Sequence, residues 1–176
     1  MTFVETPLAG AFVVELEPIH DERGFFARAW CEREFAEHDL KARWVQSNIS
    51  FNKTAGTLRG LHYQAPPHAE AKLVRCTRGS VYDVIVDLRR GSRTFKQHWA
   101  VKLTLENRRM LYIPEHFAHG FLTLRDETEV FYQMSDAYEP SCTRGIRWND
   151  PGLRISWPGE IRVISEKDRN YADFSG

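Results

Sequence analysis

The chain has 176 residues, 42% hydrophobic and 27% charged, and its 24 Lys and Arg match its 24 Asp and Glu. That length supports one sizeable core and is short for two, so a single domain over residues 1–176 is expected. A formal net charge of zero creates no field toward nucleic acid or an anionic membrane, and no run approaches the ~18 uninterrupted apolar residues of a membrane span.

In chain order, the first strand-like run is residues 11–16, and a helix is read over residues 32–40. Further strand-like runs follow at 44–51, 57–63, 71–77, 80–88, 97–105, 109–113, 119–124 and 129–135. Within 80–88, Val81, Val84, Ile85 and Val86 are nearly continuous, as in a strand covered on both faces. Val130, Phe131 and Tyr132 combine β-branched and aromatic side chains that favour a pleated surface. Turn residues punctuate these runs at Arg78-Gly79, Arg90-Gly91-Ser92, Glu106-Asn107 and Arg125-Asp126-Glu127. Near the C-terminus, Ser165 is placed to cap a short helix over 166–169. Many short strands at this spacing predict a mainly β sandwich or barrel with short helices. Cys31, Cys76 and Cys142 are odd in number and lack metal-type spacing, and the opening Met-Thr-Phe-Val-Glu-Thr-Pro has no basic segment leading into an apolar run. A cytoplasmic protein without a secretory signal is expected.

Inward residues alternate along a barrel strand, so His62 and Gln64 share one side. If that side is the interior, two polar groups are buried together and need a reason. Unusual polar residues concentrate in three places: Thr57-Leu-Arg-Gly-Leu-His-Tyr-Gln64 with Ala71-Lys-Leu-Val-Arg75, Ile113-Pro-Glu-His-Phe-Ala-His-Gly120, and Ile164-Ser-Glu-Lys-Asp-Arg169. The first two resemble the paired motifs of the cupin superfamily, whose fold is the double-stranded β-helix jelly roll. Metal-binding cupins hold their ion with two His and a Glu in the first motif and one His in the second. Aligned on Gly79, Lys72 stands at the Glu position, Gln64 at the second His and His119 at the final His. An ammonium has no lone pair for a metal, so no metal is expected. A fixed cation there suits a developing oxyanion instead.

A narrower resemblance covers nearly the whole chain. Asp21-Glu-Arg-Gly-Phe-Phe26, Leu58-Arg-Gly-Leu-His-Tyr-Gln64, Lys72-Leu-Val-Arg75, Tyr82-Asp-Val-Ile-Val-Asp-Leu-Arg89, Phe117-Ala-His-Gly-Phe121, Arg144-Gly-Ile-Arg-Trp-Asn-Asp-Pro151 and Ser165-Glu-Lys-Asp168 occur in this order. Together they resemble the dTDP-4-dehydrorhamnose 3,5-epimerase family. The resemblance implies inversion of C3 and C5 of a nucleotide-linked 4-keto-6-deoxyhexose by proton abstraction and enolate reprotonation, without a cofactor. It assigns His62 as base, Asp168 as its carboxylate partner, Tyr132 as the opposed acid and Lys72 as the enolate cation. It maps nucleotide contacts onto Arg23, Gln46, Asn48, Arg59 and Lys167, with His119 and Tyr138 as further substrate-binding residues, and Phe26 either stacks on the base or fills the core. It implies a homodimer whose subunits exchange a strand. Taken singly these residues read differently. His62 resembles a satisfied strand histidine, Tyr132 a packed aromatic, Lys72 a solvated edge charge and Asp168 part of a helix start. Only the set carries the assignment, and His20, His38, His68 and His98 keep the structural reading.

Two positions depart from the family pattern, with Arg28 and Thr143 where carboxylates are common, and the segment 51–56 is one residue longer than that pattern. These departures leave open an epimerase acting at C3 alone or on a GDP- or CDP-linked sugar. A metal cupin and a non-catalytic sugar-nucleotide binding protein are the competing classes. Lys72 and Gln64 speak against the first, and a binder needs no opposed base and acid.

Overall fold

The computed structural model describes residues 1–175. Its strands are β1 (Thr2–Glu5), β2 (Phe12–Glu15), β3 (Ile19–Asp21), β4 (Gly24–Phe26), β5 (Gln46–Asn52), β6 (Thr57–Gln64), β7 (Lys72–Arg78) and β8 (Ser80–Asp87). They continue with β9 (His98–Thr104), β10 (Met110–Ile113), β11 (Phe117–Thr123), β12 (Thr128–Met134), β13 (Thr143–Gly145) and β14 (Val163–Ile164). Two short helices, α1 (Glu32–Ala36) and α2 (Glu166–Arg169), accompany a 3₁₀ turn at Pro140–Cys142. One sheet runs in the order β1-β2-β10-β7-β12-β5 and the other β13-β6-β11-β8-β9, while β3 and β4 form a separate hairpin. All neighbours are antiparallel except β14, which lies parallel to the Thr57–Leu58 end of β6. This is the double-sheet, cupin-like jelly roll that the motifs imply.

The alternation of side chains along each strand supplies two faces to bury. Between the sheets, Val74, Cys76, Leu111, Ile113 and Val130 meet Val81, Ile85, Leu103, Phe117 and Phe121. The outer face of the first sheet, through Val14, Leu73, Met110 and Tyr112, is covered by Phe35 of α1. The outer face of the second, through Leu61, Val84, Val86 and Ala118, is covered by Ile146 and Leu153 with Trp157 and Phe174. So β8 reads as a partly continuous apolar run because it feeds two cores, Val81 and Ile85 inward and Val84 and Val86 outward. Each large side chain removed from water contributes about 1.5–3 kcal/mol.

The helix expected over 32–40 stops at Ala36. The amides of His38 and Leu40 both turn back to the Phe35 carbonyl, and Asp39 sits at φ 57°, a left-handed conformation that ends a helix. The short strands β1, β3, β4, β13 and β14 have no matching run in the sequence reading, because two to four residues carry too little periodicity to distinguish them from loop.

Strict alternation also fails once, in β6. His62 pairs with His119 and Arg59 with Phe121, so three steps on β6 oppose two on β11. This bulge turns Arg59 and His62, an odd and an even position, into the same cavity. Gly60, at φ 123°, makes it possible. A Cβ there would stand 2.6 Å from the Gly120 Cα, so only a pair of glycines lets the two backbones approach this closely.

Candidate active site

A cavity of about 540 Å³ opens between the two sheets. The second sheet contributes Arg59, His62 and Gln64 from β6 and His119 from β11. The first contributes Lys72 from β7, Tyr132 from β12, and Gln46 and Asn48 from β5. Tyr138 and Lys167 stand at its margin, with Thr143 at the start of β13. His62 and Tyr132 therefore belong to facing walls.

The parallel pairing of β14 with β6 delivers the next piece. It fixes the chain at Ile164, after which the Ser165 hydroxyl accepts the Asp168 amide at 3.0 Å and starts α2. Asp168 is thereby carried to His62, with 2.6 Å between Oδ1 and Nε2. Its second oxygen accepts the Gly60 amide at 3.2 Å. Burial alone would raise the Asp168 carboxyl, but the hydrogen bond and charge of His62 and the Gly60 N–H outweigh it and hold the group below its ordinary value. The Tyr171 ring lies edge-on to His62 at 6.0 Å, over Gly145, where any Cβ would collide with it.

His119 faces the same cavity and gives its Nε2 to both oxygens of Asp83, at 2.9 and 3.0 Å. Asp83 is fully buried, and burial raises its carboxyl although His119 pulls the other way. Tyr132 is raised by burial, with Arg59 opposing and Glu70 adding to the shift, so its hydroxyl keeps its proton at neutral pH.

Lys72 is not the isolated cation that its place in the motif suggests. Its ammonium bonds the carboxylate of Glu70, itself buried and accepting the Gln64 amide at 3.1 Å. Gln64 shares the inward side with His62 as alternation requires, and its burial has a structural reason. Its amide donates to the carbonyls of His68 and Ala137, while its oxygen accepts the Glu139 N–H at 2.6 Å. Gln46 donates to Asn48 at 3.1 Å and accepts the Tyr138 amide at 2.9 Å, which ties the margin to β5.

Arg23 and Phe26 lie apart from this cavity, on the β3–β4 hairpin. Phe26 is 73% exposed and fills no core, and the Arg23 guanidinium is held by Asp21. Of the two departures, Arg28 bonds Glu34 at 2.6 Å beside α1, whereas Thr143 lines the cavity. Among the structural histidines, His38 stacks near Phe3 at 4.1 Å and His68 pairs with Asp136 at 3.4 Å. Sequence reasoning misses Glu70 and Asp83. Asp83 left a signal, a lone carboxylate inside an apolar strand that must find a partner. Glu70, between two alanines in a loop, left none.

Fold and site together define a cupin-like jelly roll whose inter-sheet cavity holds an imidazole–carboxylate pair opposite a phenol, a set suited to acid–base chemistry. The model of the dTDP-4-dehydrorhamnose 3,5-epimerase family matches residues 5–176. The dTDP-4-dehydrorhamnose 3,5-epimerase of Methanothermobacter thermautotrophicus is 46% identical, covering 96% of this chain and 92% of its own. The crystal structure of the enzyme of that name from Elizabethkingia anophelis NUHP1 superposes with a TM-score of 0.96 at 39% identity, over 99% of this chain and 96% of that one. The Bacillus anthracis structure, with TDP and PPi bound, gives a TM-score of 0.94 at 39% identity, over 98% and 99%. The chain belongs to the dTDP-4-dehydrorhamnose 3,5-epimerase family. It is an isomerase, a sugar-nucleotide epimerase.

Proposed function

We propose that this epimerase inverts C3 and C5 of dTDP-4-dehydro-6-deoxy-D-glucose to give dTDP-4-dehydro-L-rhamnose, by proton transfer alone. The observation that carries this reading is the His62–Asp168 pair on one wall with Tyr132 on the other. Both carbons flank the C4 ketone, so loss of either proton gives an enolate, and inversion needs the proton returned from the opposite face. His62 commits Nε2 to Asp168, which leaves Nδ1 as the basic atom. Tyr132, protonated at neutral pH, returns a proton from the facing sheet. Lys72 stabilises the enolate oxygen, its ammonium kept in place by Glu70. Positioned acid and base groups of this kind are worth ~10²–10⁴-fold each.

The charges support a diphosphate. Lys72 is offset by Glu70, and His62 and His119 each already face an aspartate. Arg59 bonds only the Asn52 amide oxygen and the Phe51 carbonyl, and neither it nor Lys167 has a carboxylate partner among the described residues. Two uncompensated cations in one cavity suit a nucleoside diphosphate. Gln46 and Asn48 are polar partners for the base, and Tyr138, half exposed at the margin, is a stacking surface for it.

The reading includes one domain acting in the cytoplasm as a homodimer. Ile19 and Phe26 on the hairpin, and Ile49 and Phe51 at the cavity's β5 rim, are exposed apolar side chains that a second subunit would cover. Exchange of the hairpin would bring Arg23 and Phe26 to a partner's cavity. All three cysteines are free, as a reducing compartment keeps them.

The test is incubation in deuterated water with 4-keto-6-deoxyglucose linked to dTDP, GDP or CDP. Label at both C3 and C5 with dTDP supports the proposal. Label at C3 alone, or with another nucleotide only, replaces it with a narrower relative, and no label with any substrate overturns it.

A further inference from the structure

The molecule holds a second His–Asp pair that the proposed chemistry leaves without a task. His119 stands directly opposite His62 on the neighbouring strand and lines the same cavity. Its Nε2 is committed to Asp83, and its Nδ1 has no protein partner among the described residues. Behind it, the Asp83 carboxylate is completely shielded from solvent, and among the described residues His119 Nε2 is the only donor to either of its oxygens.

The proton count of this pair decides what Nδ1 can do. A bare carboxylate at that depth beside a neutral imidazole is a buried net charge, which the interior strongly disfavours. The pair avoids that cost by keeping one extra proton. If the proton is on His119, the ring is an imidazolium and Nδ1 carries hydrogen. If it is on Asp83, the acid donates to Nε2, and the neutral ring then has its hydrogen on Nδ1. Either placement makes Nδ1 a donor. Only the net-negative state would leave Nδ1 bare, and burial acts against that state.

We propose that Asp83 is a positioning residue that keeps a proton on His119 Nδ1, so that His119 donates a hydrogen bond to the C4 oxygen of the substrate alongside Lys72. This rests on the epimerase reading above. The raised Asp83 carboxyl agrees with it. The other titratable groups facing the cavity are Arg59, His62 and Tyr63 from β6, Lys72 from β7 with Glu70 before it, Tyr132 from β12 with Tyr138 after it, and Lys167 from α2. Lys72 is balanced by Glu70, and His62, with a bare Nδ1, leaves Asp168 its charge. Nothing in that set supplies His119 with a proton except Asp83.

The experiment is nitrogen NMR of the full-length, histidine-labelled protein at pH 7.5, with a His119→Gln variant to assign the ring. The expected result is a protonated Nδ1 on His119 and a bare Nδ1 on His62. A bare Nδ1 on His119 overturns the proposal, whatever the variants do. In turnover, Asp83→Asn is expected to lower kcat by ~10²-fold with KM nearly unchanged, as loss of one aimed donor does. The alkaline limb of its kcat profile should also move to lower pH, because the amide cannot share a proton. Unchanged kcat and an unmoved limb count against the assignment, whereas a purely structural Asp83 would alter stability without moving the limb. If wild-type protein fails to exchange label at C3 or C5, the epimerase reading itself falls, an outcome distinct from failure at Asp83 alone.

Discussion

His62 and His119 face one another across adjacent strands, and each gives Nε2 to an aspartate. Their carboxylates are nevertheless pushed in opposite directions. Asp168 has a backbone amide as a second donor and sits below its ordinary value, so it carries its charge without borrowing a proton. Asp83 has His119 alone, lies in a dry interior and sits above it. The same two residue types become an acceptor in one place and a donor in the other, and the difference is a single N–H from Gly60 together with the depth of burial.

The largest expected effect tests the accepting member. His62→Ala should reduce C3 and C5 exchange by up to ~10⁴-fold with an unchanged far-UV spectrum. Exchange within a few-fold of wild type would remove His62 from its role. Next comes the third buried carboxylate of the cavity. Lys72→Ala should cost ~10²–10³-fold in turnover with ligand binding partly preserved. It also strands Glu70, so stability should fall by about 3–5 kcal/mol in chemical denaturation. Adding Glu70→Gln should restore that stability and not the turnover. Recovery of both would mean that Lys72 serves packing alone.

The two aspartates should also part in stability. Asp168→Asn removes a charge-assisted hydrogen-bond acceptor and should cost about 1.5–3 kcal/mol at neutral pH, read as a lower Tm. Asp83→Asn removes a carboxylate whose charge the interior disfavours, so its Tm should stay within the shift of about 1 kcal/mol. Equal losses would erase the distinction drawn between the pairs. The smallest effect is the pH dependence of the Asp168 contribution. Its folded value is depressed below 3.8, so its stabilisation is complete above that pH and fades as pH falls through the lower folded value. Wild type and Asp168→Asn should therefore converge in stability only in strong acid.

Much of this was legible in the residues. The runs at 80–88 and 129–135 foretell β8 and β12 because their β-branched and aromatic content is dense and their turns are sharp. The cap at Ser165 and the helix behind it follow from residue type alone. The motifs and the family resemblance point to Lys72, His62, Tyr132 and Asp168, and the fold brings all four to one place. Other features depend on the third dimension. Arg59 reaches the cavity only through the bulge at Gly60, which pattern-reading by twos cannot see. Glu70 matters only because a strand start places Lys72 beside it. Arg23 and Phe26, site residues by resemblance, sit on an exposed hairpin apart from the cavity.

The parallel stitch of β14 onto β6 has a consequence in time. The two members of the accepting pair are 106 residues apart, and the carboxylate belongs to the tail. During synthesis β6 is made long before Asp168, so the pair forms only once the tail has docked. Clipping the tail after Gly159 should remove the carboxylate together with Lys167 and Phe174, so that reactivity is lost and both ligand affinity and stability fall.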